Sequence, residues 1–393
     1  MPDGHEHINI SLVETIGAVS PDQWDGCAGP ANPFVSHAFL SSLEDAGCVQ
    51  ADTGWAARHV LIQDDSGTLL AAAPMYLKGN SMGEYVFDWG WAEAYERAGG
   101  RYYPKLLCGV PFTPVTGPRL LVRGDVQPSL ALNLKHQLAQ TMSEAVQGAK
   151  LSSLHVNFIP VTDVQVFADA GYLARTGLQY HWQNQSYDCY DDFLAQLSSR
   201  KRKALKKERR AATEGTGLHI EHLSGADIQA RHWDALYGFY RDTSNRKWGQ
   251  AYLNRDFFEL LGQRLANKVV LVMAMRGADI VAGALNLVGD DALYGRYWGC
   301  KEEIPYLHFE VCYHQAIDIA IERGLARVEA GAQGEHKIAR GYLPQITHSA
   351  HFIPDTNFRA GVSAFLDRER TAIAHERQIL LAESPYRQSD SLG

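Results

Sequence analysis

The same order of elements occurs twice along this 393-residue chain, and that repetition limits its fold more than any single motif does. In the first half an apolar helical stretch at Phe39–Asp45 precedes a predicted strand Arg58–Gln63, a DDSG turn and a predicted strand Thr68–Leu77. A strand pattern at Glu84–Trp89, a helix over Leu130–Gln147 and a strand at Leu154–Phe158 follow. In the second half helical patterns at Trp233–Tyr240 and Phe257–Leu265 precede the strand Val269–Met275, an RGAD turn and the strand Ile280–Val288. The strand Ala292–Trp298, the helix Pro305–Arg323 and the strand Ala326–Ala330 complete the copy. Hairpins that feed a helix and then a further strand predict an α/β fold with mixed sheets and helices packed on them. Two domains are expected, 1–189 and 190–393, with the strand pattern Leu178–Gln185 closing the first sheet. A basic helix from Asp191 to about Ala212 should join them and stop at the glycines of Gly215–Gly217. The long connection Trp91–Val126, rich in Gly, Pro and Tyr, has no equal in the second half, and insertions of that kind usually shape a site.

A hydrophobic fraction of 46% and a charged fraction of 21% fit a globular chain and exclude collagen, coiled coil and wholesale disorder. No apolar run reaches the about 18 residues of a membrane span, and Met1–Asn9 lacks the pattern of a signal peptide, so a cytoplasmic protein is expected. The six cysteines lie far apart without a CxxC pair, which predicts reduced core thiols and neither disulfides nor a zinc site. The net charge is −8, yet Arg200–Arg210 reads RKRKALKKERR, eight bases to one acid. Clustered bases neutralise phosphates and release counterions, so Arg200, Lys201, Arg202, Lys203, Lys206 and Arg209 are candidates for holding a polyanion; a solvated helix face is the competing reading.

The strings SRKRKALKKERRAATEGTG, LYGRYWG, LHFEVCYHQAI and EAGAQGEHKIARGYLP, with GEYVFDW and YYPKLL before them, resemble the FemAB-like members of the GNAT acyltransferase superfamily from about Trp24 to Phe365. The resemblance implies tandem GNAT-like domains and transfer of an acyl or aminoacyl group to an amine. In the better-known Fem proteins the donor is an aminoacyl-tRNA and the acceptor a peptidoglycan precursor. One departure bears on the donor. Enzymes of the superfamily that use acetyl-CoA hold its pyrophosphate on a glycine-rich loop, whereas the corresponding segment here, Gly299–Pro305, has one glycine and two acids.

Amide formation needs a deprotonated amine, donors for a tetrahedral oxyanion and a path for the proton. Gln333, His336, Lys337 and Arg340 follow a predicted strand within eight residues, an arrangement suited to an oxyanion or phosphate clamp. On the predicted helix from Pro305, Glu310, His314 and Asp318 fall at i, i+4 and i+8, so a carboxylate could orient the histidine as base; His308 lies in the first turn. Period-two alternation from Glu84 to Trp91 sets Glu84 and Asp88 on one face, where Tyr102, Tyr103 and Lys105 could help form an acceptor pocket. Alternation also groups Tyr294, Arg296 and Trp298, on a strand that by resemblance borders the transfer cleft; Tyr294 would protonate the leaving group and Glu329 on the next strand would serve as base. Each of these groups could equally be packing or surface. The spacing of His308, Glu310 and His314 is not that of a zinc site, so no metal is expected.

The expected activity is therefore acyl or aminoacyl transfer onto a small-molecule or cell-envelope amine. No cofactor is expected to be resident, and the donor enters as a co-substrate: aminoacyl-tRNA, acyl-carrier protein or acyl-CoA. A tRNA or carrier protein would dock on Arg200–Arg210. A dependence on acyl-CoA or acyl-carrier protein with a small-molecule or lipid amine, and a non-catalytic RNA- or polyanion-binding module, are the two rival readings.

Overall fold

The computed structural model describes residues 8–248, 251–332 and 334–387. The chain divides into two units, Met1–Gly177 with Thr347–Ile373, and Leu178–Ile346 with Ala374–Gly393. The division thus falls at 177/178 where the sequence pointed to 189/190, and a C-terminal segment returns to the first unit. The strand Leu173–Gln183 extends beyond the expected segment, and its residues 178–183 belong to the second unit.

In the first unit the strands Asn9–Val13, His59–Gln63, Leu69–Ala73 and Leu121–Val122 form an antiparallel sheet in that order. The expected strand Thr68–Leu77 is two strands, Leu69–Ala73 and Met75–Lys78, interrupted at Pro74, which has no N–H to give a ladder. Met75–Lys78 enters a second sheet between Trp55–Ala57 and Lys105–Cys108; beyond these lie Leu154–Ile159 and then residues 348–352 of the strand Leu343–Phe352. The helix Pro128–Gly148 opens on proline at its first position, where the missing N–H costs nothing. It buries Leu134, Leu138, Met142 and Val146, a four-residue spacing that keeps one stripe on the core.

In the second unit the strands run in the order His219–Ser224, Val269–Arg276, Asp279–Val288, Ala292–Cys300, Arg327–Glu329 and residues 178–183. The helix Ala230–Trp248 lies close on this sheet at Gly299, where a Cβ would come within 2.6 Å of Phe239 Cβ. On the opposite face Val272, Ala284, Leu293 and Val328 meet Val311, Ala316 and Ile319 of the helical segment Leu307–Glu322.

Both units contain the same four-strand succession. Met75–Lys78, Lys105–Cys108, Leu154–Ile159 and 348–352 pair antiparallel, parallel and antiparallel, as do Asp279–Val288, Ala292–Cys300, Arg327–Glu329 and 178–183. The repeat is real, but its second member in the first unit is Lys105–Cys108, inside the connection expected to be an insertion.

Three local expectations are corrected. Glu84–Trp89 is not a strand: Tyr85 sits at φ 60°, which no strand accommodates, and the helix Trp89–Arg97 begins at its end. The basic helix is two, Tyr190–Ala195 and Ser199–Thr213. The helix expected from Pro305 starts after Tyr306, which is left-handed, and contains a π-helical turn at Glu310–His314. Among the described residues no helix is long and apolar enough to cross a membrane, and no cluster of His, Cys, Asp and Glu could hold a metal ion. None of the six cysteines is in a disulfide, although Cys189 is exposed and Cys300 and Cys312 are half-buried.

Candidate active site

The parallel ladder of the second unit is three pairs long, Ala292↔Arg327, Leu293↔Val328 and Tyr294↔Glu329. Beyond it the longer strand continues to Cys300 while Ala330 and Gly331 exchange backbone hydrogen bonds with Tyr180 on the other side. The two strands part there, and among the described residues their ladder ends at Tyr294 and Glu329. On the other edge Leu285 pairs with Tyr297 and Asn286 with Gly295, so Arg296 is the extra residue of a β-bulge.

Tyr294, Glu329 and His181 form a row across the sheet at the point of parting, because Glu329 is in register with both neighbours. All three are buried. Glu329 Oε1 accepts from Arg327 Nε at 2.9 Å, and Arg327 also pairs with Asp291. Among the described residues Glu329 Oε2 has no hydrogen-bond partner; His181 Nε2 is 3.8 Å away. Burial raises the Glu329 carboxyl pKa against the opposing pull of Arg327. His181 is pushed down to about 3 by burial, with Arg327 and Lys337 acting in the same sense, so it is a neutral ring. Burial also raises Tyr294 and keeps it a phenol, whose oxygen lies 3.5 Å from Arg327 Nη2.

The bulge overturns the grouping of Tyr294, Arg296 and Trp298 on one face. One inserted residue inverts the alternation, so Trp298 and Cys300 share the helix-covered face of Leu293, and Tyr297 packs with Tyr240 and Phe258 on the other. Trp298 and His308 do come together, their rings 4.9 Å apart, in a cavity of about 260 Å³ that Thr243, Arg246, Cys300 and Glu303 also line. The acids following Gly299 are not free to repel an anion as a pair, because Glu302 is held by Arg276 at 2.9 and 3.1 Å.

The proposed clamp is not open. Lys337 is buried with its ammonium on the carbonyls of Ala330 and Gly331, and Arg340 is buried in a two-pronged pair with Glu208 at 2.7 and 2.6 Å. His336 Nε2 lies 3.1 Å from the Tyr313 hydroxyl. Gln333 lies outside the described residues. The Glu310–His314 relay is also corrected, since the π-turn changes the spacing on which it rested. The His314 ring is wholly buried between Glu208 Oε1 at 2.8 Å and the Tyr190 hydroxyl at 2.6 Å, while Glu310 pairs with Arg209. Arg209 bridges Glu310 and Asp318 beneath the basic helix and stacks on Tyr190, so it is not a surface cation for a polyanion. Arg200, Lys203 and Lys206 are exposed and Lys201 and Arg202 half-buried; Lys206 meets Asp191 at 2.8 Å. Glu208 was missed, although one acid among eight bases is itself a signal that its partners lie on another element.

Glu84, Asp88 and Lys105 do meet in the first unit, though as buried ion pairs and not as an open pocket. Lys105 Nζ donates to Ser81 Oγ at 2.7 Å, to Glu84 Oε2 at 2.9 Å and to Asp88. The end of that unit's parallel ladder reads Cys108, Val156 and Ala350 across the strands, where the second unit has Tyr294, Glu329 and His181. Arg119 fills the space after it, donating to the carbonyls of Asn157, Gly117 and Val115. One copy of the repeat therefore holds a carboxylate, a phenol and an imidazole in the row at its fork, and the other holds a thiol and two apolar side chains there.

No curated protein sequence matches the chain. Solved structures that share its fold include FemX, at 12% identity and a TM-score of 0.53 over 90% of this chain and 100% of that one; the C-terminal DUF2156 domain of an Agrobacterium fabrum protein assigned as a putative lysylphosphatidylglycerol synthetase, at 10% and 0.51 over 88% and 95%; and a conserved protein of unknown function from Bacteroides thetaiotaomicron, at 11% and 0.51 over 87% and 99%. Residues 15–388 match the family described as peptidoglycan biosynthesis/recognition, and the chain belongs to this FemAB-like family.

Proposed function

We propose that the chain is an acyl or aminoacyl transferase that forms an amide on an amine acceptor, with its chemistry at the fork of the second unit. The observation that carries this reading is the buried Glu329 at the end of the parallel ladder, one carboxylate oxygen held by Arg327 and the other without a hydrogen-bond partner among the described residues. The donor's ester or thioester would lie along Gly295–Cys300, where the Arg296 bulge interrupts the regular ladder. The acceptor nitrogen adds to the carbonyl carbon and Glu329 Oε2 takes its proton, directly or through water. Collapse of the tetrahedral adduct breaks the C–O or C–S bond, and the Tyr294 phenol supplies the proton that the leaving oxygen or sulfur requires. Wild-type protein incubated with charged tRNA, acyl-carrier-protein and acyl-CoA donors and cell-envelope amines should consume one donor and yield an amide by mass spectrometry. Failure with every donor overturns the reading.

A donor carried by a polyanion is favoured over free acyl-CoA, because no run of glycine N–H groups follows the strand and an exposed basic helix stands in the same unit. Lys203→Glu with Arg210→Glu should weaken binding of such a carrier and lower the slope of log affinity against log salt by about 1.5, roughly 0.7–0.9 for each lost phosphate contact. An unchanged slope would remove the helix from the donor site. Salt-dependent RNA binding without donor consumption would favour a non-catalytic binding module.

A further inference from the structure

The segment Met82–Gly90 reads MGEYVFDWG, and its two charges are both turned inward. Glu84 and Asp88 share the buried ammonium of Lys105, and Asp88 also accepts from the Tyr102 hydroxyl at 2.7 Å. The backbone is pinned as well, with Lys78 Nζ on the Met82 carbonyl at 3.1 Å and Arg175 on that of Phe87 at 2.8 Å. What remains outside is uncharged and large: Met82 is 43% exposed, Phe87 48% and Trp89 51%. The rings of Phe87 and Trp89 are 5.0 Å apart.

A loop that spends two buried ion pairs on holding aromatic side chains in water is arranged for a surface that rewards them. The area argues for which surface. Half-exposed side chains of this size offer on the order of 300 Å², well below the roughly 800 Å² each partner contributes to a stable protein interface. A bilayer interface asks only that a few apolar and aromatic groups reach the level of the headgroups, the position Trp and Phe favour. Nearby charge is balanced, since exposed Arg97 pairs with Glu93 at 2.8 Å, so attraction to anionic lipid is not the driving term.

We infer that Met82–Trp89 is an interfacial membrane anchor that seats the first unit on a lipid surface through Met82, Phe87 and Trp89. This inference goes beyond the transferase reading and survives its failure, because its test measures binding alone. The full chain should float with uncharged phosphatidylcholine vesicles, about equally at low and high salt. Brominated lipid should quench part of its tryptophan fluorescence. Trp89→Phe should abolish that quenching while vesicle binding persists. Phe87→Ser with Trp89→Ser should lower vesicle affinity about tenfold or more with circular dichroism unchanged, as the loss of half-exposed aromatic area requires. Absence of wild-type binding, or equal binding by the double variant, would overturn the anchor. So would micromolar self-association that the double variant abolishes without vesicle binding, which would give this face to a second copy of the chain.

Discussion

Glu329→Gln should lower turnover of the amide-forming reaction by about 10²–10⁴-fold, the usual contribution of a positioned general base, and leave the fold intact. Glutamine keeps the shape and an acceptor for Arg327 Nε, and Arg327 retains Asp291. The missing property is the ability to take a proton at Oε2. Tyr294→Phe should cost less, because solvent can protonate a thiolate or a sugar alkoxide more readily than it can replace a buried base.

The pH dependence gives this prediction a sign. Burial raises Glu329, so wild-type activity should fall on the acid side with a midpoint above the ordinary carboxylate range, and the limb should vanish in the glutamine variant. Stability runs the other way. A carboxyl whose folded pKa exceeds its unfolded value contributes stability that is fully present below the unfolded pKa and lost as pH rises through the folded one. Wild type at neutral pH therefore carries a penalty that Glu329→Gln removes, and the variant should melt at a temperature equal to or higher than wild type. A loss of both activity and thermal stability would mean that Glu329 is a structural partner of Arg327 and not the base.

The sequence named Tyr294 and Glu329 but could not place them side by side, because the pairing depends on a register between residues 35 apart in the chain, set by packing. A single residue of bulge misplaced Trp298; a glycine inside a strand pattern, here Gly295, is the signal that could have warned of it. The duplicated order of strands was legible because hairpins and their following helix leave periodic traces. The stretch Glu84–Trp91 was not, since alternating aromatic residues imitate a strand whatever the backbone does. The deciding partner, Lys105, stands far along the chain, and only burial turns two alternating acids into its ligands. For the same reason the donors of the Gln333–Arg340 segment looked available: Glu208 and the carbonyls that hold Arg340 and Lys337 are contacts of tertiary structure.

Lys105→Met should destabilise the first unit by about 3–5 kcal/mol at pH 8, the cost expected when one partner leaves a buried ion pair. The ammonium is fully buried and serves two buried carboxylates at once. Burial alone would lower its pKa, yet Glu84 and Asp88 hold it above the ordinary lysine value. Asp88 is in turn held below the usual range, burial being outweighed by Lys105 and His155, while burial carries Glu84 up to about 7. Without Lys105 the Asp88 carboxyl must rise too, so both acids favour their neutral forms. The variant then gains stability as pH falls through those raised values, whereas the wild-type contribution of Asp88 is present above the unfolded pKa and lost only as pH falls through its depressed one. The deficit should accordingly shrink between pH 8 and pH 5. Glu84→Gln and Asp88→Asn added to Lys105→Met should recover most of the loss, because a neutral cluster no longer demands a counter-ion. Hydrogen-exchange protection of Leu154–Ile159, a core strand of this unit, reads the change separately from the second unit. A deficit below about 1 kcal/mol at pH 8, or one that grows on acidification, would show that water and not Lys105 compensates the two carboxylates.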